Sequence, residues 1–179
     1  MRGKYRRKAF HYIPLDAPQQ VPPLTNWHAS TSGSAAAWLV ADTQVVLDWL
    51  VFRDATARPL LQAVLAGQLR WLATPAMRAE LEHMLRHPTL ARWDHKAEHA
   101  LTFFECHAVL HGDPMATSTP PLRCSDPDDQ IFIDAALAHH ATWLVTRDRA
   151  LLKLRRRALA HGLRIVQPAE WRDTDMPRG

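Results

Sequence analysis

"DDQIFIDAALAHHATWLVTRD", residues 128–148, sets two acids ahead of an apolar run, then a short apolar stretch, then one more acid. The run Ile131–Ala138 is too apolar for a solvated helix face and suits a helix pressed into a core. "TWLVT", residues 142–146, shows no polar alternation, which fits a strand buried on both faces as in a parallel sheet. The three aspartates Asp126, Asp128 and Asp129 crowd the helix start in a chain of net charge +4. The Asp126–Pro127 step is turn chemistry, and aspartate suits a helix N-terminus as cap and as dipole partner. Those roles account for two of the three acids, so a catalytic or metal role stays open beside capping.

Working outward, the same alternation of elements repeats. Residues 37–41, "AWLVA", form a second unalternated strand, and "TQVVLDWLVF", residues 43–52, is helical with Val46, Trp49 and Leu50 along one face. "ATARPLLQAVLAG" is a helix stopped at Gly67, and "LRWLAT" is the next strand. "PAMRAELEHMLRH" opens with Pro75 at the first helical position and carries Met77, Leu81, Met84 and Leu85 at helical spacing. Residues from about 94 to 111 read as one amphipathic helix, and "DPMATSTPPLRCS" as a loop. A basic helix is expected from Arg149 to about His161, then a strand "LRIV" and "PAEW". Strands alternating with helices predict a parallel α/β sheet flanked by helices in three layers.

The bulk composition agrees. A chain of 179 residues with 47% hydrophobic residues suits one ordinary globular domain. Residues 1–36 are basic and then rich in Pro and Ser and read as a mobile extension, 37–172 as the domain, and 173–179 as a tail. No apolar run reaches membrane-spanning length and no secretory signal is evident, so a cytoplasmic protein without membrane contact is expected. Two cysteines, Cys106 and Cys124, read as free thiols. "RGKYRRK" near the N-terminus and "RDRALLKLRRR", with Arg147, Arg149, Arg155, Arg156 and Arg157, favour a polyanionic partner such as RNA.

Candidate chemistry gathers at strand ends. Asp42 follows the first strand and Asp148 follows "TWLVT", and ligand sites in parallel sheets lie beyond the carboxyl ends of the strands. The helix starting at Asp128 and Asp129 leads into that same strand, and Glu80 sits mid-helix at the core boundary. Clustered carboxylates repel, which should raise at least one carboxyl pKa; a divalent cation relieves the repulsion. Hard oxygen donors suit Mg²⁺ or Mn²⁺, and acids, metal and basic flanks together suggest phosphodiester hydrolysis. The eleven histidines form no HExxH, and no GxxxxGK or GxGxxG phosphate loop is present. Trp71 and Trp143 fall in strands and read as core, whereas Trp27 and Trp93 are candidates for base stacking.

"LVADTQVVLDWLVF", "TPAMRAELEHML", "SDPDDQIFIDAALAHHATWLVTRDRALL" and "RIVQPAEW" together resemble the PIN-domain ribonucleases, and within them the VapC-related toxins of bacterial toxin–antitoxin pairs; the likeness spans residues 38–172. It implies Asp42, Glu80, Asp129 and Asp148 as ligands of Mg²⁺ or Mn²⁺, with Thr43 and Thr146 in support and Asp128 as an outer helper. It further implies an endoribonuclease leaving a 3′-hydroxyl and a 5′-phosphate, RNA as substrate and a protein antitoxin as partner, and it leaves room for a homodimer. Gln44 departs from the asparagine usual after the "DT" pair, and Ala150 from an acid many relatives carry. Two rival readings are a PIN-like RNA- or protein-binding module with a vestigial site and an RNA-processing nuclease without an antitoxin.

Overall fold

The unalternated apolar runs become strands of a parallel sheet in the computed structural model, which describes residues 36–115 and 121–172. β1 (Ala37–Ala41), β2 (Leu69–Ala73), β3 (Ala108–Leu110), β4 (Trp143–Val145) and β5 (Arg164–Val166) lie in the order β3-β2-β1-β4-β5. Every pairing is parallel. Leu39, Val40, Leu72, Leu144 and Val145 are wholly buried, as strands covered on both faces require. The chain builds outward from β1 to β3, then returns to the other side of β1 with β4 and β5. The sheet's topological switch therefore falls between β1 and β4, where Ala41 pairs with Val145.

Helices α1 (Thr43–Leu47), α2 (Arg58–Leu65), α3 (Pro75–Leu85), α4 (Ala97–His107), α5 (Gln130–Ala138), α6 (Arg149–Leu152) and α7 (Arg155–Ala158) flank it. α5 packs on β1 and β4, and α3 touches α1, α4 and α5. Trp71 joins Trp49 and Phe104 edge to face, with ring centroids 5.4 and 5.0 Å away. Trp143 is buried like Trp71, as expected of strand residues. Trp93 leans on Phe52, at 5.1 Å between centroids, and is partly buried against the core. Cys106 and Cys124 are both free thiols. No helix among the described residues is long and apolar enough to cross a membrane. The extension, apart from Ala36, and the tail lie outside the described residues, as does Trp27.

Three elements differ from the sequence expectation. The helix expected to run to about residue 111 ends at His107, and Ala108–Leu110 is the edge strand β3. Three apolar residues continue a helical period as readily as they make a strand, and pairing with β2 decides the matter. The 43–52 helix changes at Asp48 into a π-helical turn, Asp48–Phe52, closed by Arg53 in the left-handed region at φ 53°. The basic helix is broken into α6 and α7 around Lys153 and Leu154, with a 3₁₀ turn, Leu159–His161, after them.

Candidate metal centre

Asp42 follows β1 and caps α1: its Oδ1 accepts the Val45 N–H at 2.9 Å. Its own N–H donates to the Val145 carbonyl at 3.1 Å, so the sheet hydrogen bonding that aligns β1 with β4 also fixes this residue. The second oxygen accepts the hydroxyl of Thr146, the residue just past β4. Thr146 Oγ1 in turn accepts the Asp148 N–H at 2.8 Å. One buried threonine thus joins the two acids that the neighbouring strands deliver to the switch point. Asp148 caps α6, accepting the Ala150 N–H at 2.6 Å. Thr43 is buried at the first position of α1.

Burial pushes the Asp42 carboxyl from 3.8 up to about 6. Hydrogen bonds from the Thr146 hydroxyl and the backbone N–H groups of Val45 and Arg147 hold it down, and the negative charge of Asp48 adds to the rise. Asp48 lies at the mouth of the π-turn, 5% exposed, with its own carboxyl raised by burial against the pull of Arg147. The sequence marks Asp48 only as a charge interrupting an apolar run. A lone acid among Val, Leu, Trp and Phe is nonetheless the signal of a buried charge that needs a partner.

The acidic start of α5 resolves into separate roles. Asp126 is the turn residue, its Oδ1 accepting the Asp128 N–H at 3.1 Å. Asp128 is exposed. Asp129 occupies the N-cap position of α5, yet its side chain makes no capping bond, and its Oδ2 is shielded from solvent. Gln130 ties the approaching loop to the helix: its Oε1 accepts the Cys124 N–H at 2.8 Å, and its Nε2 donates to the Leu122 carbonyl at 3.0 Å and to Asp134 at 2.7 Å. Burial pushes the Cys124 thiol up, and the charges of Asp129, Asp126 and Asp148 add to the push. Asp129 and Asp148 therefore act on one thiol from two elements. Glu80 is half-buried on α3, with Oε2 shielded from solvent.

The basic residues divide. Arg149, Arg156 and Arg157 are exposed. Arg155 is paired with Glu170 at 2.9 Å. Arg147, a candidate RNA contact from the sequence, is 31% exposed and is ion-paired. Its Nε contacts Asp48 at 2.5 Å, and a terminal nitrogen reaches Thr56 at 2.8 Å and Asp54 at 3.3 Å. Gln44, the departure noted after the "DT" pair, donates to Asp48 at 3.3 Å.

Among the described residues no three His, Cys, Asp or Glu side chains stand close enough to cage an ion. The donor chemistry at the switch point is still carboxylate oxygen with a hydroxyl between. That set fits Mg²⁺ or Mn²⁺, because Mg²⁺ keeps much of its water and is usually held through one or two carboxylates. It does not fit a closed tetrahedral zinc site.

Comparison with known proteins bears on the whole arrangement. No protein of curated function matches the chain. Among solved structures, that of VapBC2 from Rickettsia felis bound to a DNA fragment from their promoter shares the fold: the TM-score is 0.51 at 13% identity, over 73% of this chain and 98% of that chain. The PIN domain profile matches residues 39–150, which runs from β1 through Glu80 and Asp129 to just past Asp148. With that span matched, and with the five-stranded parallel sheet in place, the chain belongs to the PIN-domain family.

Proposed function

We propose that this chain is a metal-dependent endoribonuclease and the toxin of a toxin–antitoxin pair. The observation that carries the proposal is the Thr146 bridge, which couples Asp42 and Asp148 at the switch point of a PIN-family sheet. Asp42, Asp148, Asp129 and Glu80 would hold Mg²⁺ or Mn²⁺, some of them through water. When bound, that ion supplies activation of water and neutralises charge on the scissile phosphate. The chain's own residues do the rest. Thr146 orients Asp42 through its hydroxyl and Asp148 through its backbone, and Thr43 and Asp128 flank the acids. Exposed Arg149, Arg156 and Arg157, together with Arg155, are the candidate contacts for the RNA backbone.

The likeness to VapBC2 supports a protein antitoxin as partner, and cellular RNA makes the cytoplasm the place of action. The test follows RNA cleavage and growth together. Cleavage should require Mg²⁺ or Mn²⁺ and fall roughly 100-fold or more in Asp42→Asn, Asp129→Asn and Asp148→Asn. Growth arrest should be relieved by the product of an adjacent antitoxin-like reading frame. Cleavage that persists in EDTA, or that these variants leave intact, defeats the nuclease assignment. RNA binding without cleavage would favour the vestigial binding module, and cleavage without a partner would favour an RNA-processing nuclease.

A further inference from the structure

We infer that the Arg147–Asp48 pair is a positioning device for the acidic site, holding the loop that carries Thr146 and Asp148 against the helix that begins at Asp42; this rests on the nuclease function proposed above. Arg147 stands between the two residues that make the bridge. Its neighbours supply the Thr146 hydroxyl to the Asp42 carboxylate and the Asp148 N–H to that hydroxyl. Its side chain leaves in the other direction. One nitrogen meets Asp48 at 2.5 Å, and another meets Thr56 at 2.8 Å and Asp54 at 3.3 Å.

The partners are built for this. Asp48 exposes 7% of its side chain, and its two oxygens are taken up by Arg147 and Gln44. The wider π-turn that begins at Asp48 closes with the Asp54 N–H donating to the Asp48 carbonyl at 2.8 Å. Arg53, at φ 53°, turns the chain there, and Asp54 and Thr56 both meet the guanidinium. A planar fork with five donors in fixed directions holds all three groups in one geometry, whereas an ammonium on a flexible stem fixes them less well. The guanidinium also neutralises Asp48, whose charge otherwise opposes an ionised Asp42.

Asp48→Asn, Arg147→Gln, the double variant and Arg147→Lys test the assignment. Four quantities are measured: Mn²⁺ affinity by calorimetry without RNA, kcat and KM for RNA cleavage, the salt dependence of RNA binding, and the melting temperature. Asp48→Asn and Arg147→Gln should each weaken Mn²⁺ binding and lower kcat by about tenfold, as expected for partners that orient metal ligands. KM and the salt slope should hold. The double variant should lose no more than Arg147→Gln alone, because both singles break one unit. Arg147→Lys should stay nearer wild type than Arg147→Gln. Should Arg147→Gln fail to fold, Asp48→Asn and Arg147→Lys carry the same comparison.

A raised KM and a slope flattened by about 0.7, with kcat and Mn²⁺ affinity intact, would make Arg147 a phosphate contact and overturn the inference. A lower melting temperature with kcat and Mn²⁺ affinity unchanged would make the pair merely structural and overturn it too. A wild type that neither binds Mn²⁺ nor cleaves RNA would defeat the nuclease assignment first, and the positioning role with it. An active wild type beside unaffected variants would defeat the positioning role alone.

Discussion

Asp42 carries two opposed demands, and the balance sets a pH dependence. It is 4% exposed, and burial lifts its carboxyl from 3.8 to about 6 although three donors favour its charged form. Burial is the largest cause of the rise, and the charge that adds to it is that of Asp48, which is not among the four acids expected to cluster. A carboxyl whose pKa is higher in the folded state favours folding while protonated. Its contribution is complete below about 3.8 and is lost as pH rises through about 6, leaving a penalty of about 3 kcal/mol at neutral pH. Asp42→Asn keeps an acceptor for the Val45 N–H and carries no charge. Urea unfolding in EDTA should therefore find Asp42→Asn more stable than wild type at pH 7, by up to about 3 kcal/mol, with the difference closing towards pH 4. Mn²⁺ at about a thousand times its dissociation constant should reverse the order, since a ligand of the native state then adds about 4.1 kcal/mol. A stability difference that does not change with pH would show that the Asp42 carboxyl is not raised by folding.

At the scale of elements, two of the proposed ligands also hold helices together. Asp42 caps α1 and Asp148 caps α6, whereas Asp129 stands at the start of α5 without capping it. Capping and metal binding can therefore be separated at Asp148. Asp148→Asn retains a capping oxygen and should lose Mn²⁺ binding with little change in apo stability. Asp148→Ala should lose Mn²⁺ binding and about 1 kcal/mol besides. Equal apo stability for the two variants would show that the bond to Ala150 contributes nothing. The same contrast explains how much was legible beforehand. Four of the five strands stood out because buried parallel strands are short, largely apolar runs separated by helices, even with Arg70 inside β2 and Arg164 opening β5. β3 did not, because Ala108–Leu110 extends the apolar period of α4 and only its partner β2 makes it a strand. The places of Asp42 and Asp148 just past strands, of Asp129 at a helix start and of Glu80 within a helix were legible in the sequence, while their proposed role as ligands comes from the family resemblance. The bridge through Thr146 was not, because it depends on the register of β1 against β4, and no local spacing encodes a register.

At the scale of the whole molecule, the basic character of the chain divides into charges held within the fold and charges offered to solvent. The sequence places Arg147, Arg149 and Arg155–Arg157 in one cationic segment, and nothing in their spacing tells an ion-paired guanidinium from an exposed one. The fold does: Arg147 is committed to Asp48, and Arg155 shares both Glu170 oxygens at 3.3 and 2.9 Å. Arg149, Arg156 and Arg157 are exposed on α6 and α7, the helices that follow Asp148. If they meet RNA phosphates, each contact releases counterions, and the logarithm of affinity should fall with the logarithm of salt by about 0.7 per contact on a single strand. Replacing Arg149, Arg156 and Arg157 together by alanine should flatten that slope by up to about 2. Arg155→Ala should flatten it less than Arg149→Ala, because an exposed ion pair of about 0–1 kcal/mol must first be given up before Arg155 can reach a phosphate. Binding measured across a salt series for these variants decides the matter. A slope unchanged in the triple variant would make the cluster an ordinary solvated surface and move the RNA path elsewhere on the domain, while Arg155→Ala outweighing Arg149→Ala would mean that the Glu170 pair opens when RNA binds.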